Sequence, residues 1–250
     1  MNTHQTLTEC VAQAQSRLDF WCRFITASHI KTMAEIGVYE GDFAAAVLKS
    51  CQALEKYYMV DPWRHLDDWN KPANEKDEVF EKIYAAALER TEFAAEKRTI
   101  LRGKTTEIID AIPDNSLDFA YIDGDHTLKG TTIDLVRLYP KIRPGGWIGG
   151  DDFSQTVWQH HTAFEPTLVF PFAVYFAEAV GSSIYGLPFN QFLIEKQNNQ
   201  SFTFIDLTGQ YSNVSLRNQF HPNMVLKLKL GEFFGSPVRL LKRAKNRLSK

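Results

Sequence analysis

Apolar residues recur along the chain in two alternating rhythms. Over residues 5–30 they fall at Leu7, Val11, Ala14, Leu18, Trp21 and Ile25, the three-to-four spacing of one helical face, which predicts a helix over that span. Short apolar runs follow at 32–37, 56–61, 99–102, 117–123 and 147–151, with helical patterns between them, clearest at 43–48 and 133–138. Buried runs alternating with amphipathic helices form βαβ units, so the spacing predicts an α/β fold, doubly wound about a mainly parallel sheet. After residue 152 the rhythm changes. A helix is predicted over 168–180, then strands over 183–186 and 191–196. Leu187-Pro188-Phe189-Asn190 joins these strands, short enough for an antiparallel hairpin at the sheet edge. Residues 202–207 offer one more strand.

Composition adds exclusions. With 44% hydrophobic and 23% charged residues the chain has the makings of a packed core. A net charge of −2 gives no whole-chain drive toward nucleic acid, and no nucleic-acid partner is expected. The opening MNTHQTLTEC has no basic-then-apolar leader pattern, and the most apolar stretch, 168–177, is too short for a bilayer and contains Pro171. The three scattered cysteines, Cys10, Cys22 and Cys51, read as reduced thiols, so a cytoplasmic location is expected.

Two segments depart from the α/β pattern. Residues 62–93 are long and charged, with Trp63 and Trp69 as apolar anchors and a helical part near 79–88. The last 25 residues hold eight Lys or Arg against one Glu. There Ser236 and Pro237 can start a helix with an apolar stripe at Leu240, Leu241, Ala244 and Leu248. We read it as a frayed soluble helix, with contact to an anionic lipid surface as the alternative.

The chemistry collects where the predicted strands end, the place where open α/β sheets bind ligands. The first ends Glu35-Ile36-Gly37-Val38-Tyr39-Glu40-Gly41, a strand-to-helix turn in which glycine lets a ligand approach the backbone. The second ends at Asp61, an acid placed to accept both hydroxyls of a ribose. The turn lacks the middle glycine that admits a pyrophosphate, and its Glu35 and Glu40 suit a cationic ligand. S-adenosylmethionine, with a sulfonium and an ammonium and no phosphate, fits that charge better than NAD. The fourth strand ends Asp123-Gly124-Asp125-His126 and the fifth Gly149-Gly150-Asp151-Asp152. One Asp at a strand end serves as a helix cap, but four acids at two adjacent ends suggest a shared hard-cation site of Asp123, Asp151 and Asp152.

Residues 33–48, 56–61, 99–126 and 141–153 together resemble the class I S-adenosylmethionine-dependent methyltransferases, and more closely the metal-dependent O-methyltransferases. Residues 35–41 match the E-[LI]-G-x-Y-x-G turn of catechol O-methyltransferase, in which the tyrosine, here Tyr39, lies near the cofactor. Gly103-Lys104-Thr105-Thr106-Glu107-Ile108-Ile109 is similar to its G-x-S-x-D-I-I element, which implies adenine contacts near Thr105 and Thr106. The D-G-D element and the D-D-[FY] pair resemble the bacterial sugar O-methyltransferases of macrolide and aminocoumarin pathways.

The resemblance implies a seven-stranded Rossmann-like sheet in the order 3-2-1-4-5-7-6 with an antiparallel strand. The expected domains are an N-terminal helical extension (1–30), a methyltransferase domain (31–208, with 62–95 inserted) and a basic C-terminal extension (209–250). It also implies cofactor contacts at Glu35, Gly37, Tyr39, Gly41, Asp61, Gly103, Thr105, Thr106 and Asp123. Asp123, Asp151 and Asp152 would ligate Mg²⁺ or another divalent cation. The sugar enzymes place their base at Asp125; the catechol enzymes place a lysine where this chain has His126, so the base stands open between the two. The expected activity is O-methylation of a sugar, glycan or other small acceptor. A metal-independent N- or O-methyltransferase and a nonenzymatic S-adenosylmethionine-binding module are the alternatives, and association with a second copy is left open.

Overall fold

A computed structural model describes residues 2–197, 201–212 and 214–233. Two helices open the chain, α1 (Thr3–Gln13) and α2 (Arg17–Ala27), where the apolar spacing alone suggests one. The break has a local cause. The Ser16 side chain accepts from the Asp19 backbone N–H, and the Asp19 carboxylate accepts from the Gln15 N–H at 3.0 Å. This reciprocal cap starts a new helix.

The α/β unit follows as β1 (Thr32–Ile36), α3 (Asp42–Ser50), β2 (Lys56–Asp61), α4 (Asp77–Arg90), β3 (Arg98–Arg102), α5 (Thr105–Ile108), β4 (Leu117–Ile122), α6 (Leu128–Leu138) and β5 (Ile142–Gly150). Then come α7 (Val169–Ala179), β6 (Ser183–Leu187), β7 (Gln191–Glu195), β8 (Thr203–Asp206) and α8 (Leu216–Gln219). Residues 222–233 are helical as well. The basic-tail residues 236–248 lie outside the described residues.

The sheet runs β3-β2-β1-β4-β5-β7-β6-β8. Strands β1 to β5 are parallel, β7 is antiparallel to both β5 and β6, and β8 adds an eighth, edge strand parallel to β6. The expected 3-2-1-4-5-7-6 order is therefore present, extended by one strand. The hairpin turn places Phe189 and Asn190 at φ +62° and +58°, so the chain reverses within the predicted connection.

Each face of the sheet carries its own apolar core. One packs Phe20, Trp21 and Phe24 of α2 and Phe43 of α3 against Phe119 and Tyr121. The other packs Ile109, Leu135, Leu138 and Phe176 against Ala34, Ala120 and Ile148. Trp21 penetrates furthest. A Cβ on Gly149 would meet its ring at 2.3 Å, so only glycine leaves β5 open to the indole. This seating brings α2 to the carboxyl ends of β4 and β5.

Candidate active site

A cleft of about 820 Å³ lies over the carboxyl ends of the parallel strands. Its first wall is the turn after β1. Gly37 sits at φ +88°, and a Cβ there would fall 2.2 Å from the Asp123 carbonyl oxygen. Only glycine tolerates both conditions, and the close approach leaves a cradle beside the backbone. Gly41 does something else. It lies outside the cleft wall, and its Cβ position faces Ala87 of α4 at about 3.1–3.4 Å, so its smallness admits a packing helix and not a ligand.

Asp61 is nearly buried and holds this turn together. One carboxylate oxygen accepts from the Val38 and Tyr39 N–H groups at 2.9 Å each, and the other from Trp63 N–H at 2.8 Å. A carboxylate has about four acceptor sites, so one remains, and Asp61 lines the cleft. Glu35 lies beneath, 1% exposed, accepting from the Tyr57 hydroxyl at 2.7 Å. Burial pushes its pKa well above the ordinary value despite that bond, and the Asp123 and Asp61 charges add to the rise. Tyr39 is exposed at the cleft mouth. Gly103 and Thr106 line the far side with Thr105, whose hydroxyl donates to the buried Asp134 at 2.5 Å.

At the other end stand the acids of β4 and β5. His126 Nδ1 meets the Asp152 carboxylate at 2.5 Å, while its Nε2 lies 3.5 Å from Asp123 and, among the described residues, has no hydrogen-bond partner. Burial disfavours the imidazolium, but the Asp152 bond and the charges of Asp152, Asp123 and Asp151 outweigh it, so the His126 pKa is raised. Asp152 adopts φ +57°, a left-handed conformation rare outside Gly, Asn and Asp. With its nitrogen turned toward Asp152, the Gln159 amide donates to both oxygens at 3.0 Å. Asp125 is tied differently: it accepts from Trp69 Nε1 at 3.1 Å and from Thr127 N–H at 3.0 Å, pressed against Gly130.

The three carboxylates expected to share a cation have other partners. Arg17 Nη1 lies 2.9 Å from Asp123 and makes a second, closer bond to Asp151. The other Asp151 oxygen accepts from Gln191 Nε2 at 2.5 Å and from Asp152 N–H at 2.8 Å, and Asp151 does not line the cleft. Gln191 is held by Trp21 Nε1 and the Tyr121 hydroxyl, at 2.7 and 2.9 Å. Among the described residues no group of three or more His, Cys, Asp or Glu is arranged to hold a metal ion. With both oxygens of Asp151 and Asp152 and one of Asp123 turned to donors of the chain itself, these residues do not fit the expected divalent site, which corrects that expectation.

Two further elements close the cleft. Lys71 is buried, with Nζ donating to the Glu165 carbonyl at 2.9 Å and to the Thr167 hydroxyl at 3.3 Å. Burial lowers its pKa. This ties the 62–76 segment to the loop after β5, which contributes His160 to the lining. Sequence reasoning missed Arg17 and Lys71. Neither lies in a motif, and their partners are remote in sequence.

The comparisons with known proteins agree with this geometry. Residues 34–153 match a family described as a methyltransferase domain. No curated protein matches the sequence. Among solved structures, a Staphylococcus aureus protein assigned as a caffeoyl-CoA O-methyltransferase superposes with a TM-score of 0.55 at 12% identity, covering 79% of this chain and 93% of the other. A Bacillus cereus O-methyltransferase in complex with SAH gives 0.51 at 12% identity, covering 78% and 93%. The Streptomyces achromogenes O-methyltransferase TomG, involved in tomaymycin synthesis and in complex with SAM, gives 0.50 at 13%, covering 78% and 90%. Residues 34–153 thus match a methyltransferase domain, and the chain has the fold that these O-methyltransferases share. The cofactor fits the residues present: the Gly37 cradle offers close backbone approach, and the carboxyl groups of Asp61 and Asp123 line the cleft beside it.

Proposed function

We propose that this protein methylates a hydroxyl of a small polyhydroxylated acceptor, a sugar or glycan, with His126 as the general base. The single observation that carries this reading is the His126–Asp152 pair in the cleft lining, with the buried Nε2 left without a hydrogen-bond partner among the described residues. Asp152 holds Nδ1, which fixes the tautomer and leaves Nε2 free to accept a proton, the logic of a base oriented by a carboxylate. Asp125, occupied by Trp69 and the start of α6, is a positioning residue for the Trp69 wall.

S-adenosylmethionine supplies a methyl group already activated by its sulfonium. The protein has to orient the acceptor in line and remove its proton. With the cofactor bound, its sulfonium would supply the methyl group and act as the leaving group, and His126 would take the acceptor's hydroxyl proton on Nε2. The Gly37 turn and Asp61 would hold the cofactor's methionine and ribose parts, and Thr106 its adenine. No step passes through a metal.

A polyhydroxylated acceptor is supported by the far wall, where the Trp69 indole stands among Asp125, Lys71, His160 and Glu165. An aromatic face among charged hydrogen-bonding groups suits a sugar ring. The free thiols of Cys10, Cys22 and Cys51 support a cytoplasmic enzyme. Among the described residues no helix is long and apolar enough to cross a membrane.

The test is methyl transfer from labelled S-adenosylmethionine to a panel of sugar nucleotides, glycosides and catechols, with His126→Ala alongside. Transfer to a sugar that falls about 10²–10⁴-fold in the variant is expected. An unchanged rate in His126→Ala contradicts the assignment of the base, and transfer confined to catechols contradicts the acceptor class.

A further inference from the structure

We propose that Arg17 of α2 is a resident cation that stands in for a divalent metal in this centre, and that methyl transfer here runs without one. The inference rests on the methyltransferase reading of the cleft. It begins from electrostatics: Asp123, Asp151 and Asp152 are brought together at two neighbouring strand ends, and like charges so placed need a counter-charge.

The chain supplies that counter-charge itself. The Arg17 guanidinium bridges Asp123 and Asp151, and His126 lies between Asp152 and Asp123. Guanidinium suits the task because it is permanently charged and presents several donors in a rigid fork. Its position is built: Ser16 caps α2 immediately before it, and Trp21, one turn further on, is locked into the Gly149 slot and onto Gln191. Gln191 in turn binds the second Asp151 oxygen. Arg17 also lines the cleft, so the charge that neutralises the acids borders the reaction space.

A divalent ion would have to displace the guanidinium from both carboxylates, and Gln191 already occupies the other Asp151 oxygen. Arg17 is accordingly a positioning residue: it fixes Asp123 and Asp151 and, through Asp151, the chain leading to Asp152 and His126.

Calorimetric titration with Mn²⁺ alone, on the full chain and on Arg17→Met and Arg17→Lys, tests this, with S-adenosylhomocysteine titrated into the same samples. The wild type is expected to bind S-adenosylhomocysteine and to take up no Mn²⁺ at micromolar concentrations. Arg17→Met, keeping the volume without the charge, is expected to gain a Mn²⁺ site at least tenfold tighter than any in the wild type; Arg17→Lys is not. In turnover, EDTA is expected to leave the wild-type rate unchanged.

Micromolar Mn²⁺ binding by the wild type that Asp151→Asn removes, or loss of turnover in EDTA, overturns the proposal while leaving the methyltransferase reading intact. A wild type that binds no S-adenosylhomocysteine overturns the reading on which it rests. Should Arg17→Met not fold, the wild-type titration and the EDTA comparison decide the matter alone.

Discussion

At the residue scale the site depends on how two acid–partner pairs are held, one half-buried and one buried. Asp152 raises the His126 pKa against the opposing effect of burial. A base must be unprotonated to work, so kcat/KM should rise with pH through an inflection above 6.5, the ordinary histidine value. Asp152→Asn removes the carboxylate and should move that inflection down; a pH–rate profile in which it stays in place contradicts the pairing. Glu35 makes a separate prediction. Its folded pKa lies well above the ordinary 4.5, so the folded state holds the proton more tightly than the unfolded one. Stability is then lost as pH rises from 4.5 through the raised value, by at most about 1.4 kcal/mol per pH unit. In Glu35→Gln this loss should vanish, so the melting-temperature gap between variant and wild type should be small near pH 4.5 and widen upward. A gap that is flat with pH would show that Glu35 is not desolvated.

At the element scale, the turns after the strands carry the chemistry, and much of their content can be read in the sequence. The turn after β1, the acids after β4 and the pair after β5 each sit beside their own strand, so position along the chain also gives position in the cleft. What a run of sequence does not contain is a partner on a distant element. Arg17 is separated from Asp123 by 106 residues and from Asp151 by 134, so the sequence around the acids shows the negative charges and not the guanidinium that lies between them. The break between α1 and α2 was readable in principle, since Ser16-Arg17-Leu18-Asp19 has the spacing of a capping box, but the apolar rhythm runs across it. Gly41 misled for a different reason: glycine near a ligand turn and glycine under a packed helix look the same in sequence.

Two substitutions test these elements. Ser16→Ala should cost about 1 kcal/mol of stability by removing the α2 cap, measured by denaturant unfolding. Gly37→Ala combines a positive φ with an overlap at the Asp123 carbonyl. It should cost more than about 1 kcal/mol and weaken S-adenosylhomocysteine binding at least tenfold. Binding that survives unchanged would mean the cofactor does not use this turn.

At the scale of the whole molecule, α1 and α2 are part of the core, and α2 also reaches the cleft through Arg17. Phe20, Trp21 and Phe24 are each 0% exposed. Their burial against β4 and β5 is worth about 1.5–3 kcal/mol per side chain, a sum comparable to the roughly 5–15 kcal/mol that separates a folded domain from its unfolded state. Deleting residues 1–28 should therefore leave a chain without a cooperative thermal transition, and Trp21→Ala alone should cost about 3–5 kcal/mol. A deletion that melts like the full chain would make these helices an appendage.

The same molecule-wide arrangement places the Gly37 cradle, the Asp61 carboxylate and the His126–Asp152 pair around one cleft. Calorimetric titration of S-adenosylhomocysteine into the folded full-length protein, with NAD as the control, tests that arrangement most directly. One S-adenosylhomocysteine site per chain, lost in Gly37→Ala, and no heat from NAD is the predicted result; a folded protein that binds neither S-adenosylhomocysteine nor S-adenosylmethionine would contradict it.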